Sequence, residues 1–120
     1  VVQLNFNNGY KLARQLIKEQ QWPRAIFAID DDLAYGLIKG FTEAGVKIPA
    51  QVAIIGFGDC NSDQAARLCD LTTLQQPVKE KTLAVARGVL SLINQKEQGI
   101  HPKPAVIIPR LTIRKSCGCS

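Results

Sequence analysis

Apolar and polar positions alternate along residues 1–6, VVQLNF, which predicts a strand. Asn8 is then placed to cap a helix running to about Gln20, with Leu12, Ala13, Leu16 and Ile17 on one face and Lys11, Arg14 and Lys18 elsewhere. Pro23 ends that segment. AIFAI, residues 25–29, is a short continuous apolar run of the kind that suits a strand buried on both faces. Leu33, Ala34, Leu37, Ile38, Phe41 and Ala44 then recur at three and four, predicting a helix from about Asp31 to Ala44. Gly45 stands where a left-handed cap is wanted, with Pro49 beyond it. VAIIGF, residues 52–57, is a third buried-type strand. Strand, helix, strand, helix, strand with short connections implies right-handed crossovers and a parallel sheet. Such sheets bind ligands at the carboxyl ends of their strands. DDD after the second strand and GDCNSD after the third fall there.

The second half is less regular. LTTLQQP is a short extended segment stopped by Pro77. A long helix follows from about Val78 to Lys96, with Leu83, Ala86, Leu90 and Ile93 on one stripe and Val85, Val89 and Leu92 on the next. GIHPKP is a loop. AVIIP and LTIRKS are extended segments interrupted by Pro109, as at an edge or a crossover. There is no internal repeat and no low-complexity stretch.

Composition narrows the class. At 120 residues with 46% apolar content, the chain is one globular domain or a piece of one. No apolar run approaches the ~20 residues that span a bilayer. Val1-Val2-Gln3 does not open a signal peptide, and the absence of Met suggests the start of a larger protein is missing. The net charge of +5 could attract an anion or nucleic acid. The basic residues are scattered, however, apart from Arg110, Arg114 and Lys115, and no aromatic residues interleave with them as single-strand binding would require. They read as a solvated surface. Cys60, Cys69, Cys117 and Cys119 read as free thiols in a reducing cytosol, since the single C-x-C of SCGC lacks the second pair of a zinc site. His101 has no companion and reads as a surface residue.

The three aspartates allow three readings. Asp30 suits an N-cap, and Asp31 and Asp32 suit the positive end of the helix dipole, worth ~0.3–1 kcal/mol each. A magnesium site is the sharper reading, but no lysine or phosphate-cradling loop accompanies it. The third is a polar ligand hydrogen-bonded by Asp30. GFGDCN has G-x-G without the third glycine of a dinucleotide fingerprint, so its glycines serve a tight turn or a close approach to a ligand. No nucleophile has a base beside it, and no serine lies in G-x-S-x-G. The chain is therefore not read as an enzyme, and no cofactor or metal is expected.

AIFAIDDDLAYGLIKGFTEAGVKIPAQVAIIGFGDC, followed by LTTLQQP and LTIRKSC, resembles the lactose/galactose/purine repressor family of bacterial transcription regulators over nearly the whole chain. The resemblance implies an α/β fold: a parallel sheet with flanking helices, the C-terminal subdomain of a type I periplasmic-binding-protein-like core. Residues 1–76 would be that subdomain. Residues 77–100 would carry a long helix that packs on a missing first subdomain, and residues 101–120 the return strands and tail. The uncovered helix would then pack elsewhere, dimerise or stay exposed, and an oligomer or a rearranged helix is expected. The family position of Asp30 implies a hydrogen bond to the effector, and that of Asp31 helix capping. Gly58 stands where the family commonly has a ligand-binding Asp, with Asp59 next to it as a substitute. This variant is similar to the gluconate-repressor branch and hints at a sugar acid. Leu4 occupies the place of a stacking aromatic, so no stacking is expected there, and Thr82 replaces a usual glycine.

The implied function is binding of a small sugar or sugar-acid effector in a cytoplasmic homodimeric regulator, without membrane association. Operator DNA would be contacted only through an N-terminal headpiece absent from this chain. The alternative is a periplasmic sugar-binding protein of a transport system.

Overall fold

The structure is a computed structural model that describes residues 3–58, 70–94 and 106–119. Its elements are α1 (Phe6–Lys18), β1 (Ala25–Phe27), α2 (Asp31–Glu43), β2 (Ala53–Gly58), β3 (Thr72–Gln75), α3 (Val78–Asn94) and β4 (Arg110–Thr112), followed by a short 3-10 turn at Lys115–Cys117. The strands form one sheet in the order β1-β2-β3-β4, and β1-β2 and β2-β3 are parallel. The α/β fold with a mainly parallel sheet and flanking helices is the one expected.

The chain divides into two compact units, residues 1–75 with 111–120, and residues 76–110. In the first, burial alternates from Val52, just before β2, through Phe57. Val52, Ile54 and Gly56 are buried while Ala53, Ile55 and Phe57 are half-covered, as a strand with one packed face requires. Ala34, Leu37, Ile38 and Phe41 of α2 meet that face together with Ala13 of α1, Ala28 and Leu71. Trp22 adds an edge-on contact to Phe41, with ring centroids 6.1 Å apart.

Helices α1 and α2 lie side by side, joined through glycine. A Cβ on Gly36 would strike the backbone of Phe6 and come within 2.7 Å of the Tyr10 nitrogen. A Cβ on Gly40 would stand 2.6 Å from that of Ala13, and one on Gly9 would strike the Leu33 carbonyl. Along both chains the contacts advance together, so the helices run parallel. The Tyr10 hydroxyl in the first half of α1 donates to Glu43 at the end of α2, at 2.7 Å. That hydrogen bond, with Lys39 beside it, lowers the Glu43 carboxyl, and the same hydrogen bond raises the Tyr10 phenol against the opposing charge of Lys39.

Two expectations are corrected here. Residues 3–6 form no strand, and helix α1 begins at Phe6, three residues earlier than a cap at Asn8 would place it. The cap is Asn5, whose side-chain oxygen accepts the Asn8 amide at 2.9 Å. This satisfies an N–H that the helix itself leaves unpaired, and it commits the preceding residues to a cap rather than a ladder. Second, β1 is the sheet edge among the described residues and is not buried on both faces. Phe27 and Ile29 are more than half exposed, and only Ala28 of the AIFAI run is buried. Of the two extended segments near the end of the chain, LTIRKS contributes Leu111 and Thr112 to β4, and residues 106–109 have no regular secondary structure.

The tail is tied to the start of β3 by a small polar knot. Buried Ser116 accepts the Thr72 amide at 2.8 Å and donates to the Ile54 carbonyl at 2.6 Å. The Thr72 hydroxyl accepts the Arg114 amide at 2.8 Å and donates to the Arg114 carbonyl at 2.9 Å. Lys115 pairs with Asp70 at 2.8 Å and lowers its carboxyl pKa. Ser116→Ala removes the partner of two buried backbone groups at once. Leaving such groups unpaired costs ~1–3 kcal/mol each, so a loss of about 2 kcal/mol or more is expected in urea unfolding. A change of only a few tenths would mean that the knot is not a structural tie.

In the second unit, α3 carries the broad apolar face that its periodicity predicts. Val85, Leu90 and Ile93 are about 60% exposed in the single chain. The part of the expected helix beyond residue 94, together with Cys60, Cys69 and His101, lies outside the described residues.

Candidate functional site at the carboxyl ends of the strands

Register places the predicted loops. Phe27 of β1 pairs with Ile55 of β2, and the strands are parallel. Asp30 and Gly58 each lie three residues beyond that pair. Both therefore emerge at the same edge of the sheet. Gly58 in turn pairs with Gln75 at the end of β3. Three strand ends thus present a carboxylate, a bare backbone and an amide side by side. Gln75 is exposed there. Its position in LTTLQQP marks it as a strand end, but only register shows that it adjoins Gly58.

Asp30 is the hinge between β1 and α2. Its backbone is extended, and its Oδ1 accepts the amides of Asp32 at 2.9 Å and Leu33 at 3.4 Å. This is the capping role expected of it. The cap employs one carboxylate oxygen, and a carboxylate carries two, with about four acceptor positions. Asp30 is half-buried. It can therefore cap the helix and still accept a hydroxyl from a ligand above the edge.

Gly58 has φ 141, a conformation that side chains rarely adopt. Glycine is therefore the residue suited to this end of β2. Leu4, 49% exposed, immediately precedes α1, whose first turn lies alongside Gly36 of α2. Asp59 lies outside the described residues. Asp32 is exposed at the first turn of α2.

Asp31 departs from the expectation that it caps the helix. It is 1% exposed, and its Oδ1 accepts the Thr73 hydroxyl at 2.7 Å. The carboxylate is turned into the interior and ties α2 to β3. Gly56 makes the room, since a Cβ there would land on Asp31 Oδ1 and stand 3.0 Å from Leu71. The first glycine of GFG, read from sequence as clearance for a turn or a ligand, is clearance for this side chain. The available signal was a glycine inside an otherwise β-branched and aromatic strand, which marks a close approach. No group of three or more metal-ligating side chains occurs among the described residues, so the magnesium reading gains no support from them.

A separate shallow hollow is bordered by Gln20, Gln21, Trp22 and Pro23. These residues precede β1 and belong to the opposite, amino-terminal edge.

Comparison with known proteins agrees with this architecture. Residues 3–117 match the periplasmic binding protein-like domain family. The HTH-type transcriptional repressor PurR of Haemophilus influenzae is 30% identical over 110 residues, which are 91% of this chain and 32% of the repressor. The HTH-type transcriptional repressor MelR of Bacillus subtilis is 31% identical over 117 residues, 97% of this chain and 33% of the repressor. The chain thus spans about a third of the length of the curated relatives it matches. The crystal structure of a LacI-family transcriptional regulator from Enterococcus faecium with bound ribose superposes with a TM-score of 0.76 at 31% identity, covering 96% of this chain and 41% of that one. With its parallel sheet, its shared strand-end edge and a match over all but its first two and last three residues, the chain belongs to the periplasmic binding protein-like domain family, and its likeness within that family is to LacI-type regulators.

Proposed function

We propose that this chain is the effector-binding part of a LacI-type transcriptional regulator, and that its carboxyl-terminal sheet edge forms one wall of the effector site. The observation that carries the reading is the convergence of Asp30, Gly58 and Gln75 at one edge. A cluster of hydroxyl acceptors and donors on exposed strand ends suits a small sugar or sugar acid. Asp30 accepts hydroxyls, Gly58 lets a ligand reach the backbone, and Asp59 supplies a second carboxylate. Leu4 adds an apolar border without stacking. The ribose bound by the Enterococcus regulator supports a sugar class. The repressors matched here support regulation over a role in transport.

In the whole protein, effector binding would favour one arrangement of the core. Operator affinity would follow by linkage through a headpiece outside this chain. The regulator would act as a cytoplasmic homodimer.

The test must separate Asp30 the ligand contact from Asp30 the cap. Asp30→Ala removes both, and a lost cap alone costs ~0.5–2 kcal/mol. Asp30→Ser keeps an oxygen for the Asp32 amide but withdraws the carboxylate. Titration of Asp30→Ser with D-ribose, D-glucose and D-gluconate should show unchanged thermal stability without ligand. It should also show a ~10–100-fold weaker affinity for whichever sugar binds the parent, as loss of one charge-assisted hydrogen bond of ~1.5–3 kcal/mol requires. Equal affinity in parent and variant would remove Asp30 from the site.

A further inference from the structure

The SCGC sequence at the end of the chain is not used by the effector reading, and its geometry is specific. Gly118 sits at φ 75, a left-handed conformation open to glycine, and a Cβ on it would be 3.3 Å from the Pro49 ring. The resulting curl turns Cys119 back on Cys117. The Cys119 amide donates to Cys117 Sγ at 3.3 Å, and Cys119 Sγ lies 3.9 Å from the Cys117 carbonyl. Cys117 is half-buried beside the Ser116 knot, with its Sγ 3.5 Å from the Arg114 carbonyl. Cys119 is exposed. All of this lies at the start of β3, on the edge opposite Asp30 and Gly58.

We propose that Cys117 and Cys119 are a redox-active dithiol that closes reversibly to a disulfide within the chain, with Cys117 as the attacking sulfur and Cys119 as the resolving one. A thiolate at Cys117 is met by the Cys119 amide, and by the Thr72 hydroxyl once that hydroxyl turns from the Arg114 carbonyl to which it otherwise donates. The Thr72 hydrogen bond is the larger influence and lowers the Cys117 thiol pKa, while the bond to Cys117 raises that of Cys119. The oxidant is a hydroperoxide. The Cys117 thiolate attacks one peroxide oxygen, the O–O bond breaks, and Cys117 becomes a sulfenic acid while the other oxygen leaves as water after taking a proton. The Cys119 sulfur then attacks the Cys117 sulfur. The S–O bond breaks, and the departing hydroxide takes the Cys119 proton as water. With hydrogen peroxide, two thiols are oxidised by two electrons to one disulfide and two waters form.

The test uses the full chain, because Cys60 and Cys69 offer competing thiols. Hydrogen peroxide is added in equimolar amount, free thiols are alkylated, and the chain is cleaved after Lys115. The expected peptide, residues 116–120, is lighter by two hydrogens, carries no alkyl group and regains both thiols with dithiothreitol. In Cys119→Ser, dimedone traps a sulfenic acid at Cys117. In Cys117→Ser, the Cys119 adduct is much smaller. Asp30→Ser oxidises like the parent, which keeps this result independent of the effector site. Alkylation of both cysteines after peroxide, a disulfide from either one to Cys60 or Cys69, or preferred trapping at Cys119 overturns the proposal.

Discussion

Gly36→Ala is expected to destabilise the first unit by roughly 3 kcal/mol or more, although alanine is the better helix former by about 1 kcal/mol. The added methyl has nowhere to go. It meets the backbone of Phe6 and, at 2.7 Å, the nitrogen of Tyr10, and neither can rotate aside as a side-chain tip would. The whole of α1 must move outward. Ala13 would then retreat from Gly40, and the Tyr10–Glu43 hydrogen bond would stretch. Gly88 of α3 is the internal control, since a Cβ there meets nothing within 4 Å. Gly88→Ala should therefore show the propensity gain alone, at most about 1 kcal/mol of stabilisation. Trp22, the chain's one tryptophan, packs on Phe41 and reports the first unit by fluorescence. Circular dichroism reports α3. A Gly36→Ala urea midpoint at or above the parent's would mean that the helices are not locked at this contact.

The same glycines show what was legible in the sequence. Periodicity located α2 and β2 to within a residue or two, because a three-four repeat and a short β-branched run have few alternative readings. It also found the extended segment at LTTLQQ and the long helix after it. It could not show which glycine accommodates which partner, since clearance is a property of two elements at once. Asn5, Asn7 and Asn8 are chemically equivalent caps, and only the turn that forms selects Asn5. AIFAI looks doubly buried because all its residues are apolar, yet burial of Phe27 depends on what covers its outer face, and in this unit it is exposed. At the site, Asp30 was legible as a cap at a strand end. Its neighbour Asp31 was not, because two adjacent aspartates read alike until the helix phase turns one outward and the other into the sheet. The adjacency of Gln75 to Gly58 required register, which no local pattern encodes.

The inward turn of Asp31 gives the second large effect. Asp31→Ala is expected to cost about 3 kcal/mol or more. It leaves the buried Thr73 hydroxyl without its acceptor, a penalty of ~1–3 kcal/mol, and opens a void between Gly56 and Leu71. Gly56→Ala should be costly as well, because its methyl falls on the Asp31 carboxylate. The two losses share one volume and cannot add. With Asp31 shortened, the methyl at position 56 enters space the carboxylate has vacated, against Leu71, whose methyl can shift by a few tenths of an ångström. The double variant should therefore be more stable than the sum of the single losses by ~1–3 kcal/mol, the range in which neighbouring sites couple. Asp31→Asn, which keeps an oxygen for Thr73 in nearly the same volume, should lose less than Asp31→Ala. Urea unfolding of the four-member cycle measures the coupling directly. Simple additivity would mean that Gly56 is not the clearance for Asp31, and that the tie from α2 to β3 is not built as the distances indicate.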